Sequence, residues 1–177
     1  MNRTLSILVS LGVTMAPPPA FAFDDPGLRI DGELGYACFA DEKRYHGMHA
    51  AVDLSLPFSA VWSVRAGYAL AEHRSRGLAF TSHHLAAGVR VALDVFEYVP
   101  WADLSPTITL SNGDQGPKPF AYGVSVGLGF DYLLTPDWSL GFASRFHQVS
   151  TSSRIPAHMS LSARMGYRWT FGDPLAP

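Results

Sequence analysis

Eight short stretches of this 177-residue chain alternate apolar with polar residues, and in the phase that gathers the apolar side chains no Asp, Glu, Lys or Arg interrupts any of them. Successive strand residues point to opposite faces, so each stretch defines a strand with one greasy and one polar side. The clearest sets Phe120, Tyr122, Val124, Val126, Leu128 and Phe130 against Ala121, Gly123, Ser125, Gly127, Gly129 and Asp131. A water-soluble barrel would turn the apolar side inward, but those residues are too bulky for a small interior, and the other side is small and charged in both signs. The pattern predicts the reverse: an all-β, antiparallel, up-and-down eight-stranded transmembrane β-barrel, with lipid outside and polar groups within.

The predicted strands run about Leu28 to Cys38, Met48 to Leu56, Trp62 to Leu70, His83 to Leu93, Val99 to Leu110, Phe120 to Asp131, Trp138 to His147 and Met159 to Phe171. The fifth is the least regular, because Pro100 and Pro106 each remove a ladder donor. A ten-residue strand is roughly 33 Å long and, tilted near 45°, covers roughly 24 Å, about the apolar height of a membrane barrel. Connections alternate in length: Pro57 to Val61, Val95 to Tyr98 and Leu133 to Asp137 are short, whereas Phe39 to Gly47, Glu72 to Ser82, Ser111 to Pro119 and Gln148 to His158 are long. Short turns are expected on the periplasmic rim and long loops on the outside.

The ends suggest how the chain reaches such a membrane. Arg3, an apolar run from Leu5 to Met15, three prolines and the small-x-small site Ala20, Phe21, Ala22 predict a signal peptide over residues 1–22, cleaved before Phe23. The run is too short to span a bilayer, and no later stretch has the length of a transmembrane helix. A single barrel domain over residues 23–177 is therefore expected, closed so that every backbone polar group is satisfied in hydrocarbon. Cys38 has no partner for a disulfide and reads as a small apolar residue on the first strand.

Assigning the polar faces inward places Arg29, Arg65, Arg90, Arg145, Arg164 and Arg168 in the lumen with Asp31, Glu33, Asp53, Asp94, Asp103 and Asp131. Facing lipid at mid-bilayer such charges cost about 2 to 4 kcal/mol each, which favours this phase. Inside eight strands they would pair and fill the interior, giving a plugged barrel; a narrow solute or ion conduit is the alternative. Trp62, Trp101, Trp138, Trp169 and Phe171 fall at the periplasmic rim, as an interfacial aromatic girdle would. All seven histidines, His46, His49, His73, His83, His84, His147 and His158, lie in or near the opposite half, with His49, His84, His147 and His158 in inward phase. They suit a wet rim; a metal or proton-sensitive mouth is the sharper reading, without a ligand-spacing motif behind it.

With 13 basic and 15 acidic residues the net charge is −2, which argues against nucleic acid as a partner. Neither a cofactor nor a catalytic constellation is expected, and the barrel is expected to be a monomer contacting outer-membrane lipid.

From Phe23 to Pro177 the pattern resembles the small eight-stranded outer-membrane barrel family typified by the OmpA barrel and OmpX. Gly166, Tyr167, Trp169 and Phe171 resemble that family's C-terminal assembly signal, although six residues follow Phe171 here. The resemblance implies insertion by outer-membrane assembly machinery in a Gram-negative cell and a structural or surface-interaction role, with extracellular ligands met by loops such as Asp41 to His46, Glu72 to Arg76 and Asn112 to Lys118. The chain also resembles lipid A deacylases in strand count. Their His-x-Ser pair is matched only by His147, Gln148, Val149, Ser150, whose spacing puts the two on opposite faces, so no enzyme is expected.

Overall fold

The structure, a computed structural model, describes residues 27–39, 46–75, 78–95, 97–112, 120–149 and 157–171. The expected leader and most of the long connections lie outside them. Eight strands follow in chain order: β1 (Gly27–Phe39), β2 (His46–Pro57), β3 (Trp62–Ser75), β4 (Leu78–Ala92), β5 (Tyr98–Asn112), β6 (Phe120–Leu133), β7 (Trp138–Val149) and β8 (His158–Thr170). Each pairs antiparallel with its chain neighbours, and β1 pairs with β8 from Gly27↔Thr170 to Phe39↔His158, closing the ring.

Alternation decides which way the side chains look. Along β6, Tyr122, Val126, Leu128 and Phe130 are exposed while Ala121, Ser125, Gly127 and Asp131 are buried. The same holds around the ring, where Leu34, Met48, Val64, Leu104, Leu140 and Met165 look outward. The largest fully buried side chains are instead Arg164, three histidines and four carboxylates. The barrel has a greasy exterior and a polar interior.

β3 and β4 run further than expected. The chain from Glu72 to Ser82 is no long loop: β3 and β4 stay paired to Ser75↔Leu78. The charges there gave the impression of a loop, yet Glu72 and Arg74 simply occupy the outward phase beyond the apolar belt, with His73, Phe80 and Ser82 turned in. β5 is continuous despite its prolines, which both look outward. Pairing with β4 lapses only between Ala86↔Thr107 and Val89↔Leu104, beside Pro106, which has no N–H to give. Gly88 faces that gap, and a β-carbon there would collide with the Leu104 carbonyl.

Two of the short turns are built alike. At one, Ser59 Oγ accepts the Trp62 N–H (3.0 Å), and the N–H groups of Phe58 and Ser59 both donate to the Trp62 carbonyl. At the other, Thr135 Oγ1 accepts from Trp138 (3.0 Å) and Asp137 (3.3 Å), and Leu134 and Thr135 donate to the Trp138 carbonyl. A hydroxyl three residues before an outward tryptophan, followed by serine, is the shared sequence signature. Thr135→Val, which keeps the shape and removes the acceptor, is expected to cost about 1 kcal/mol. The check is the midpoint of urea unfolding in detergent, read from the gel shift between folded and boiled protein.

Candidate functional site: the filled lumen

The interior carries two layers of polar side chains. Toward the short turns, Arg29, Arg65, Arg90, Arg145 and Arg164 face Asp31, Glu33, Asp53, Asp103 and Asp131. Arg145 bridges three strands, reaching Glu33 (2.8 Å), Asp103 (2.8 Å) and Asp53. Arg90 lies among Asp31 (3.3 Å), Asp53 (3.4 Å) and Asp103 (3.5 Å). Arg65 binds Asp53 and the Ser105 hydroxyl (3.0 Å), Arg164 binds Asp31, and Arg29 binds Asp31 (2.8 Å), Asp131 (2.6 Å) and Ser139 (2.8 Å). The register sets Asp31 directly opposite Asp53, a repulsive rung that these shared guanidiniums offset.

The backbone opposite each aspartate makes room for it. Asp53 pairs with Gly67, Asp103 with Gly127, Asp131 with Gly141 and Asp31 with Gly166. A β-carbon on any of these four glycines would fall against the facing carboxylate. The small residues opposite the bulky ones in the alternating pattern are thus the sockets of the charge network, a relation visible in the sequence only once the register is known.

Two residues stand elsewhere than expected, whereas Arg168 keeps its inward phase at the end of the lumen. Trp101 is not part of a rim girdle: it is buried in the lumen, its ring 4.7 Å from the Arg90 guanidinium and 4.5 Å from that of Arg164. Its phase, shared with buried Asp103, Ser105, Thr107 and Thr109, outranks the preference of indole for the interface, and Gly129 opposite leaves the space the ring fills. Asp94 lies exposed past the end of β4, outside the buried network, because the strand stops at Ala92. Arg168 is half-buried at the short-turn mouth. Trp62, Trp138, Trp169 and Phe171 are exposed on the outer side, with Tyr167 half-buried beside Trp138 (ring centroids 4.8 Å apart) and Gly166 turned inward.

Above the charges sits a histidine layer. His49, His73, His84, His147 and His158 are all buried. The His84 ring stands 4.9 Å from His147 and 4.9 Å from His158, and His158 stands 5.2 Å from His73. His147 and His158 form a cross-strand pair. Alanines give the rings space, Ala69 opposite His84 and Ala71 opposite His49. Ser82 Oγ lies 3.1 Å from both His73 Nε2 and His84 Nε2, and Thr109 Oγ1 lies 3.0 Å from His84 Nδ1. His73 was missed as an inward residue because its segment reads as a loop. His46 and His83 face outward, the latter 2.7 Å from the Tyr68 hydroxyl.

His84 and His158 stack at 12° while His73 stands edge-on to His158, and among the described residues no group of three ligands converges as a metal would require. Between the layers remains a cavity of about 20 Å³, lined by Asp53, Arg65, His84, Arg145 and His147, enough for a water. Ser82→Ala would strip a shared partner from two buried imidazoles. It is expected to lower stability by about 1 to 3 kcal/mol, checked by the same urea midpoint.

No family model matches this chain, and neither does any curated protein. Solved structures do. Neisserial surface protein A shares 14% identity over 82% of this chain and 97% of its own, with a TM-score of 0.64. Ail, the attachment invasion locus protein of Yersinia pestis, crystallised with the heparin analogue sucrose octasulfate, shares 10% over 82% and 99%, with a TM-score of 0.60. The outer membrane enzyme PagL shares 14% over 78% and 98%, with a TM-score of 0.52. The fold is that of the small eight-stranded outer-membrane barrels.

Proposed function

We propose that this chain is an outer-membrane barrel of structural or surface-interaction type, carried out of the cell by the leader over residues 1–22 and inserted as a monomer with its short turns in the periplasm. The observation that carries the reading is the pairing of an unbroken apolar exterior with buried ion pairs: only a lipid solvent rewards that combination. Gly166, Tyr167, Trp169 and Phe171 would be read by the assembly machinery, and Trp62, Trp138, Trp169 and Phe171 would anchor the periplasmic interface.

Ligand contact would fall to the long connections on the extracellular side, since the lumen is filled. Fractionation with a gel shift on boiling tests location and closure together. An epitope placed after Asn112 is expected to be accessible on intact cells. In planar bilayers the purified protein is expected to pass no porin-like current, and such a current would overturn the plugged reading in favour of a conduit.

Two features support a non-enzymatic role. His147 looks into the barrel, buried, and the hydroxyl partners of His73, His84 and His49 are Ser82, Thr109 and Ser162, equally enclosed and remote from a lipid substrate. None of these hydrogen bonds includes the carboxylate that orients a catalytic histidine. Mass spectrometry of lipid A after incubation with the barrel is expected to show no acyl loss.

A further inference from the structure

The histidine layer is the part of the lumen that the charge network does not explain. Its rings come from β2 (His49), β3 (His73), β4 (His84), β7 (His147) and β8 (His158), and all are buried. His147 and His158 stand 5.2 Å apart, each lies 4.9 Å from His84, and His73 meets His158 edge-on at 5.2 Å. The layer sits at the roots of the outer connections. His147 and His158 flank the one from β7 to β8, and His73 lies two residues before the end of β3.

Fixed charge meets this layer from below. Among the described residues, the charges that bear most on it are Glu33 on β1, Asp53 on β2, Arg65 on β3 and Arg145 on β7, and they act on His49 and His147. Those that bear most on His73, His84 and His158 are other histidines. From β4, β5, β6 and β8 the buried wall offers hydroxyls: Ser82, Thr109, Ser125 and Ser162. Both carboxylates are already held by Arg145, Glu33 at 2.8 Å. A neutral imidazole can stack and share hydroxyls here. An imidazolium brings charge into an enclosure where the next ring, 4.9 Å away, would carry the same sign.

We propose that the histidine layer is an acid-released clasp: neutral rings hold the upper ends of β2, β3, β4, β7 and β8 together, and mild acid parts them while the charge network beneath stays closed. In an opened or unfolded chain, histidine takes up its proton near about pH 6.5, so the open state binds more protons below that pH. The clasp therefore contributes fully above about pH 7 and is lost on acidification. Aspartate and glutamate in an unfolded chain stay largely ionised down to about pH 5, so the window from about pH 7.5 to 5.5 belongs to histidine. Where the outer connections meet a ligand, the clasp would make that contact pH-dependent; the barrel's own acid response does not rest on it.

The full barrel, refolded in a non-ionic detergent, is unfolded with urea across that window. The slope of the logarithm of the unfolding constant against pH counts the protons taken up. At least two are expected near about pH 5.5, a rise of roughly a hundredfold per pH unit; fewer than two would overturn the proposal. His147→Phe keeps a ring that cannot be protonated and is expected to lower the count by about one, whereas His46→Gln, on the outer face, leaves it unchanged. A slope that His46→Gln abolishes would sink the idea as well. Amide exchange of the wild type, read by mass spectrometry and corrected for the intrinsic effect of pH, locates the change without any variant. Protection over 146–149 and 158–162 is expected to fall roughly tenfold more than over 138–142 and 164–168. An equal change at both ends of β7 and β8 would mean that acid loosens the whole barrel, and the clasp would be rejected.

Discussion

Arg145→Met is expected to destabilise the barrel by about 3 to 5 kcal/mol, because it removes one partner of a buried ionic cluster and leaves the others enclosed and uncompensated. Arg145 is the guanidinium that ties Glu33 on β1, Asp53 on β2 and Asp103 on β5 to β7. Methionine fills most of the volume, so the loss reads out charge and hydrogen bonding. Asp53 would keep Arg65 and Arg90, and Asp103 would keep the same two at 3.3 and 3.5 Å. Glu33 would fall back on Arg164 at 3.9 Å, so it is the carboxylate most exposed to the change. The consequence to look for is partial rescue by Glu33→Gln in the Arg145→Met background, since that second change removes the stranded charge. Urea unfolding of single and double variants in the same detergent measures both, and additive losses would show that the two residues are not energetically coupled.

Val126→Arg is expected to cost about 2 to 4 kcal/mol in a bilayer, the depth-dependent penalty for a cation on the lipid face of a barrel near its midplane. Val126 lies at the middle of β6, exposed, between Leu104 on β5 and Phe146 on β7, which are exposed as well. In a water-soluble protein an exposed valine could become arginine at a cost within about 0.5 kcal/mol, so the same substitution separates the two solvents by its magnitude. Val126→Leu is the control and is expected to be neutral. Folding into vesicles, followed by denaturant titration, is the measurement; a neutral Val126→Arg would remove the physical basis for placing this belt in lipid.

The period-two pattern made most of the fold legible because alternation is a local property. Phe120 through Asp131 announces its own two faces, and any strand with an unbroken apolar phase can be oriented without knowing its partners. What the sequence withheld was relational. Asp103 and Gly127 are 24 positions apart, and nothing along the chain says that one is the socket of the other until the β5–β6 register is set. Trp101 shows a conflict between two legible rules, inward phase and rim preference, settled by the arginines beside it and the vacant face of Gly129. His73 and Phe80 were hidden by neighbouring charges that resemble a solvated loop, since Glu72 and Arg74 stand outward above the belt, where charge carries little penalty.

The seam between β1 and β8 differs from the other seven contacts only in lacking a connection, for every residue from Gly27 to Phe39 has a partner across it. Gly27 and Thr170 face each other at the short-turn rim, so a few linking residues would join them without altering a single rung. The wheel then has no privileged starting point. A circularly permuted chain, opened instead at the Leu134–Asp137 turn, should wind into the same cylinder, because its order is held by the sequence of neighbours rather than by which strand comes first.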